Sequence, residues 1–264
     1  MDSPGSPRPH LELQGVHKHF GQGAQQVRAI EHVDLQVREG EFLAIVGPSG
    51  CGKSTLLQIA AGLASPTGGE VRFRGAPIQG PPAGIVYLFQ QYAKSLFPWR
   101  TVLANVMFAV EHRPGLSAAA ARDHAMAYLG KVGLADFADR FPWQLSGGMQ
   151  QRVTIARALA AEPRVLLMDE PFSSVDALTR LELHDMVLGL WAQTGFTAVL
   201  VTHDVDEAIF LADRIAVLSP RPARISRQIE TELPRPRDPI TTTEHPRFLS
   251  LRHELLATLL GRPA

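Results

Sequence analysis

The chain has 264 residues, 45% of them hydrophobic and 20% charged, enough to bury the core of one large domain or two small ones. Lys plus Arg and Asp plus Glu each number 26, which argues against a generally basic nucleic-acid binder. A single cysteine, Cys51, excludes an intrachain disulfide and a cysteine-rich zinc site, and fits a reducing, cytoplasmic setting.

No run of about 18 apolar residues predicts a membrane span, so any membrane role is expected to be peripheral. Residues 1–10 lack the apolar core of a signal peptide and read as a flexible lead-in. Residues 11–16 and 33–37 alternate apolar and polar and predict strands. Residues 42–46 form a continuous apolar run, which suits a buried parallel strand. A glycine-rich loop follows, then a helix from about residue 52 to 62. Residues 71–74 and 85–89 read as strands, and helical periodicity marks 102–110, 118–129 and 149–160. A strand at 165–168, a helix at 178–191 and strands at 198–201 and 215–218 complete the pattern. Such alternation predicts an α/β fold with a mainly parallel core sheet and a helical insertion. From Arg221 the chain reads as a Pro- and Arg-rich tail ending in an amphipathic stretch at 248–260.

Gly47-Pro48-Ser49-Gly50-Cys51-Gly52-Lys53-Ser54 fits G-x-x-x-x-G-K-[ST], between a predicted strand and a predicted helix. A chance match is expected about once per hundred chains of this length. Glycines let the backbone close around phosphates with its amides inward, and the helix N-terminus adds partial positive charge. Lys53 is expected on the β/γ-phosphates and Ser54 on Mg²⁺, with Thr55 next in the loop. The loop therefore predicts a nucleoside triphosphate ligand. Cys51, inside it, is either a reactive thiolate that ATP would shield or an inert buried residue.

The strand at 165–168 delivers Asp169 and Glu170 at its C-terminal end, where ligands of open α/β sheets gather. Asp169 is placed to hold Mg²⁺ through water, and Glu170 to act as general base on the attacking water. His203 follows the strand at 198–201, where its N–H would donate to transferring phosphate oxygens.

Leu145-Ser146-Gly147-Gly148-Met149-Gln150-Gln151-Arg152 opens a predicted helix and resembles the signature motif of ATP-binding cassette (ABC) ATPases. The resemblance covers roughly residues 11–225. It implies a P-loop NTPase (RecA-like) core, a small antiparallel β subdomain and a helical subdomain at about 91–160, with 226–264 as a short tail. It also implies a homodimer around ATP, in which one chain's Ser146, Gly147 and Gly148 cover the other chain's nucleotide. By position, Phe20 resembles the aromatic that stacks on adenine, where the family more often has Tyr. Gln90 resembles the glutamine that touches Mg²⁺ and water, with Gln91 beside it leaving the register open. Asp176, in Ser173-Ser174-Val175-Asp176, resembles the aspartate of the family's D-loop.

One cassette with no membrane span, coiled coil or basic excess implies a separate subunit working with integral-membrane permease subunits. The segments Ser95-Leu96-Phe97-Pro98-Trp99-Arg100, Pro220-Arg221-Pro222 and Leu233-Pro234-Arg235-Pro236-Arg237-Asp238 resemble the nitrate, sulfonate and taurine importer branch. That branch implies MgATP hydrolysis at the inner face of the membrane and a solute-binding protein upstream, without nucleic acid. Phe97 and Trp99 are either a permease-docking patch or ordinary core. The alternative functions are a soluble ABC ATPase acting on nucleic acid and the ATPase of a separate-subunit exporter.

Overall fold

The computed structural model describes residues 9–21, 23 and 26–261. They form two compact units, one from the described residues up to 83 with 195–261, the other from 84–194. The first unit begins with β1 (Leu11–Phe20), β2 (Val27–Val37), β3 (Phe42–Val46), α1 (Lys53–Ala60), β4 (Gly68–Phe73) and β5 (Ala76–Pro77). The second contains β6 (Ile85–Leu88), α2 (Tyr92–Ser95), α3 (Val102–Met107), α4 (Ala118–Lys131), α5 (Gly147–Ala160), β7 (Val165–Asp169) and α6 (Ala177–Thr194). The chain then returns to the first unit with β8 (Thr197–Val201), α7 (Val205–Leu211), β9 (Arg214–Leu218), β10 (Ala223–Glu230), α8 (Thr241–Glu244) and α9 (Pro246–Leu259).

Strand order in the first unit is β5-β4-β1-β2-β10-β9-β3-β8. β3 lies between β9 and β8, parallel to both, and every residue of the three is buried. Strands covered on both faces need apolar side chains throughout, which is why these runs were continuous in the sequence. β1, β2, β4 and β5 form an antiparallel ribbon. β10 joins ribbon to core, parallel to β2 and antiparallel to β9. In the second unit β6 and β7 are parallel, and α3, α4 and α5 pack on one another. The result is an α/β fold with a mainly parallel core and a separate antiparallel ribbon.

The predicted elements hold in place, and their ends shift for local reasons. β1 runs on to Phe20 because a bulge at Gly15 (φ +57) breaks the alternation without ending the strand. β10 straddles the expected start of the tail at 226, and its middle residues are exposed although Ala223 and Ile229 are buried. Far from a plain tail, the chain from 226 contributes most of β10 and all of α8 and α9, and α9 buries Phe248, Leu251 and Leu255 completely. Most of the expected N-terminal lead-in, residues 1–8, lies outside the described residues. His10 is buried, with its Nδ1 2.7 Å from Thr197 Oγ1.

One ion pair fastens the first unit's strands together. Arg214 at the start of β9 donates to Glu41 Oε1 and Oε2 at 2.6 and 2.9 Å, and to the Gln36 carbonyl of β2. Glu41 also accepts from the Arg38 amide at 2.7 Å, closing the β2–β3 turn. Both side chains are nearly inaccessible. Removing one partner leaves a buried charge, so Glu41→Ala should cost about 3–5 kcal/mol. Chemical denaturation measures this, and a loss below about 1 kcal/mol would contradict it.

Candidate active site

In the first unit, β3 ends at Gly47 and the loop turns back into α1. A Cβ at Gly47 would sit 3.0 Å from the Leu218 carbonyl oxygen and 3.1 Å from Cys51 Sγ, so the close approach of β9 favours glycine. Lys53 is buried, and its Nζ donates to the carbonyls of Gly47 and Pro48 at 2.9 and 3.1 Å. No side chain caps the N-terminus of α1. A desolvated ammonium beside uncapped helix amides is a seat for a polyanion. Ser54 and Thr55 follow in the first turn, and exposed Ser49 and Gly50 form the rim. A cavity of about 330 Å³ opens there, lined by Pro48, Ser49, Gly50, Cys51, Pro220 and Arg221.

Cys51 itself is only 2% exposed. Of the two sequence readings, this burial agrees with the second. Phe20, 48% exposed at the end of β1, carries the Lys18 ammonium 5.2 Å from its ring centroid. His203 lies at the exposed exit of β8, where Asp204 begins α7.

The second unit carries the carboxylates. β7 is wholly buried and ends in Asp169, whose Oδ2 accepts from the Tyr87 hydroxyl at 2.9 Å. β6 and β7 pair as Ile85↔Val165 through Leu88↔Met168. Two residues further along both strands, this register brings Gln90 beside Glu170, and Gln90 Nε2 donates to Glu170 Oε2 at 3.0 Å. Gln91 instead precedes α2 as its N-cap. Glu170 adopts φ +45, a left-handed backbone costing about 1–3 kcal/mol for a non-glycine residue. Its carbonyl is held by the Ser173 amide and hydroxyl at 3.3 and 3.0 Å.

Ser146 caps α5, its Oγ accepting from the Met149 amide at 3.3 Å, and Gly147 is exposed beside it. A Cβ at Gly148 would meet Thr179 Cγ2 at 2.5 Å, so α5 approaches α6 closely here. Asp176 accepts from the Thr179 amide at 3.0 Å, and this bond lowers its pKa. Two residues escaped the sequence reading. Tyr87 orients Asp169, and buried Gln151 donates to the Pro171 carbonyl at 2.6 Å, tying the signature helix to the segment after Glu170. The strand register pointed to Tyr87; nothing local pointed to Gln151.

A strand–loop–helix that buries an ammonium, with a strand-end carboxylate pair in the second unit, defines a P-loop nucleoside triphosphatase. The profile of the ABC transporter family matches residues 30–173. The aliphatic sulfonates import ATP-binding protein SsuB 1 of Xanthomonas axonopodis pv. citri is 47% identical over 94% of this chain and 96% of its own length. The nitrate import ATP-binding protein NrtD of Synechococcus elongatus is 44% identical over 89% and 85%. The dimeric post-hydrolysis state of the ATP-binding cassette MJ0796, bound to ADP and Pi, matches with a TM-score of 0.73 at 34% identity, over 83% of this chain and 98% of that one. This chain belongs to the ABC transporter family and is an ATPase of the ATP-binding cassette type.

Proposed function

We propose that the chain is the ATP-hydrolysing subunit of an importer, dimerising around MgATP and driving a separate membrane permease. The near full-length likeness to sulfonate and nitrate import proteins carries this reading. Among the described residues no helix is long and apolar enough to cross a membrane, in keeping with a peripheral subunit at the cytoplasmic face. The solute is of the nitrate, sulfonate or taurine kind, delivered by a solute-binding protein.

In this reading Lys53 and the loop from Gly47 to Thr55 take the phosphates, and Phe20 stacks on the base. Ser54, Gln90 and Asp169 would hold Mg²⁺, which supplies positive charge against the triphosphate. Among the described residues no group of three or more His, Cys, Asp or Glu side chains is arranged as a metal cage. That suits Mg²⁺, which takes much of its coordination from phosphate and water. Glu170 accepts the proton of the attacking water, and the Gln90 amide that donates to its Oε2 orients the carboxylate. His203 donates to the γ-phosphate oxygens as charge builds on them. Ser146, Gly147, Gly148 and Asp176 complete the site on the partner's ATP.

Glu170→Gln should keep ATP binding, cut turnover at least about 100-fold and leave a stable dimer in MgATP. Size-exclusion chromatography checks it; a nucleotide-bound variant that stays monomeric would contradict the shared-site reading.

The docking patch is the segment after β6. Asn105, fully buried, fixes it through bonds to the Phe97 amide and carbonyl and to the carbonyls of Arg100 and Thr101. Phe97 is half-buried against Phe108 and Arg157, whereas Trp99 is 72% exposed. The two residues thus divide the sequence alternatives: Phe97 is the anchor and Trp99 the free surface. Trp99→Ala should spare basal ATPase and weaken co-purification with the co-expressed permease subunits. Loss of ATPase with unchanged co-purification would count against docking.

A further inference from the structure

The segment linking β8 to α7 contains His203. The Asp204 amide donates to Thr202 Oγ1 at 3.0 Å, and Asp204 Oδ1 caps α7 by accepting from the Asp206 and Glu207 amides at 2.9 and 3.1 Å. His203 is therefore fixed on one side by a buried strand and on the other by α7. A shift of α7 along or about its axis is carried straight into His203.

The far end of α7 is held unusually. A helix leaves its last four carbonyls without intrahelical partners. Here the carbonyls of Ile209, Phe210 and Ala212 accept from the Arg237 guanidinium at 2.7, 2.8 and 2.9 Å, and that of Leu211 accepts from Arg235 at 2.9 Å. Arg235 also forks Asp213 Oδ1 with Nε and Nη2, at 3.0 and 2.7 Å. Arg237 is 6% exposed. Burial, and then the neighbouring Arg235, lower its pKa to about 10 against the opposing pull of Asp213, so it remains a cation at neutral pH. Cations suit a helix C-terminus.

At the start of α7, Arg252 of α9 grips Asp206 with two bonds of 2.6 Å. α9 is in turn seated by its three buried side chains, Phe248, Leu251 and Leu255. Both ends of one short helix are thus held by arginines from the C-terminal segment. Satisfying a few carbonyls does not require burying a cation, because water or a neutral amide does so at lower desolvation cost. A planar guanidinium does something else: it spans adjacent carbonyls at once and resists rotation of the helix.

We propose that Arg235, Arg237 and Arg252 are positioning residues for ATP hydrolysis, holding α7 so that His203 stays aimed at the reacting phosphate. The C-terminal segment is then part of the catalytic apparatus of this cassette. This inference rests on the γ-phosphate role given to His203 above.

The test uses the full chain labelled with ¹⁵N-histidine, with the His203 signal assigned through His203→Gln. In Arg237→Lys, which keeps the charge and loses the fork, kcat should fall about tenfold while KM and Kd for MgATP stay within about twofold. The His203 imidazole resonance should shift or broaden. Arg252→Ala should move the same observables less, and the charge-swapped pair Arg252→Asp with Asp206→Arg should restore them. A folded Arg237→Lys with unmoved His203 resonance and kcat within twofold of wild type overturns the proposal. If Arg237→Lys does not fold, Arg252→Ala is judged by the same criteria. Wild-type turnover in His203→Gln would instead refute the role of His203, and the imidazole signal would still report whether the arginines hold it.

Discussion

The ammonium of Lys53 is buried, and its hydrogen-bond partners are two carbonyls of its own loop. Taking such a charge out of water costs several kcal/mol, and two carbonyl dipoles return only part of it. The loop is consequently an electrostatic site that an anion completes. Much of the first unit serves to build it. β3 must run between β8 and β9 to deliver Gly47, and β9 comes so close there that a side chain would be crowded. The Glu41–Arg214 pair fixes β9 against the turn that opens β3. Exposed His203 follows β8, the strand that pairs with loop-bearing β3.

The second unit applies a similar economy to negative charge. One parallel pairing, β6 on β7, sets both carboxylate contacts: Tyr87 on Asp169 and Gln90 on Glu170. Because the register is uniform, both glutamine and tyrosine stand about 80 positions before the acids they touch. Glu170 leaves the strand with a left-handed backbone, and the Ser173 bonds to its carbonyl help to hold that conformation. Strain of this kind persists where surrounding contacts over-determine it.

Much of this was legible in the sequence, for specific reasons. The phosphate loop has a fixed spacing, and fully buried strands leave unbroken apolar runs, so β3, β7 and β8 could be placed closely. Ser146 was visible as a helix cap before its glycines. What escaped was long-range. β10 shows only a broken apolar face, with Ala223 and Ile229 buried but Arg227 exposed between them, and its pairing with β2 and β9 is long-range. Gln151 reaches Pro171 through a contact between elements that no local pattern encodes. The Leu233–Asp238 stretch looked like a Pro- and Arg-rich tail, yet two of its arginines close the end of α7. For Cys51 the sequence left a reactive and a buried reading open, because its exposure depends on how β9 packs over the loop.

The account turns on Lys53 as the charge that seats the phosphates. Calorimetric titration of wild type and Lys53→Met with MgATP and with AMP tests it most directly. Wild type should bind MgATP, and Lys53→Met should lose about 100-fold or more of that affinity while AMP binding, which does not reach the β/γ seat, changes little. Equal MgATP affinity in the two proteins would contradict the central claim.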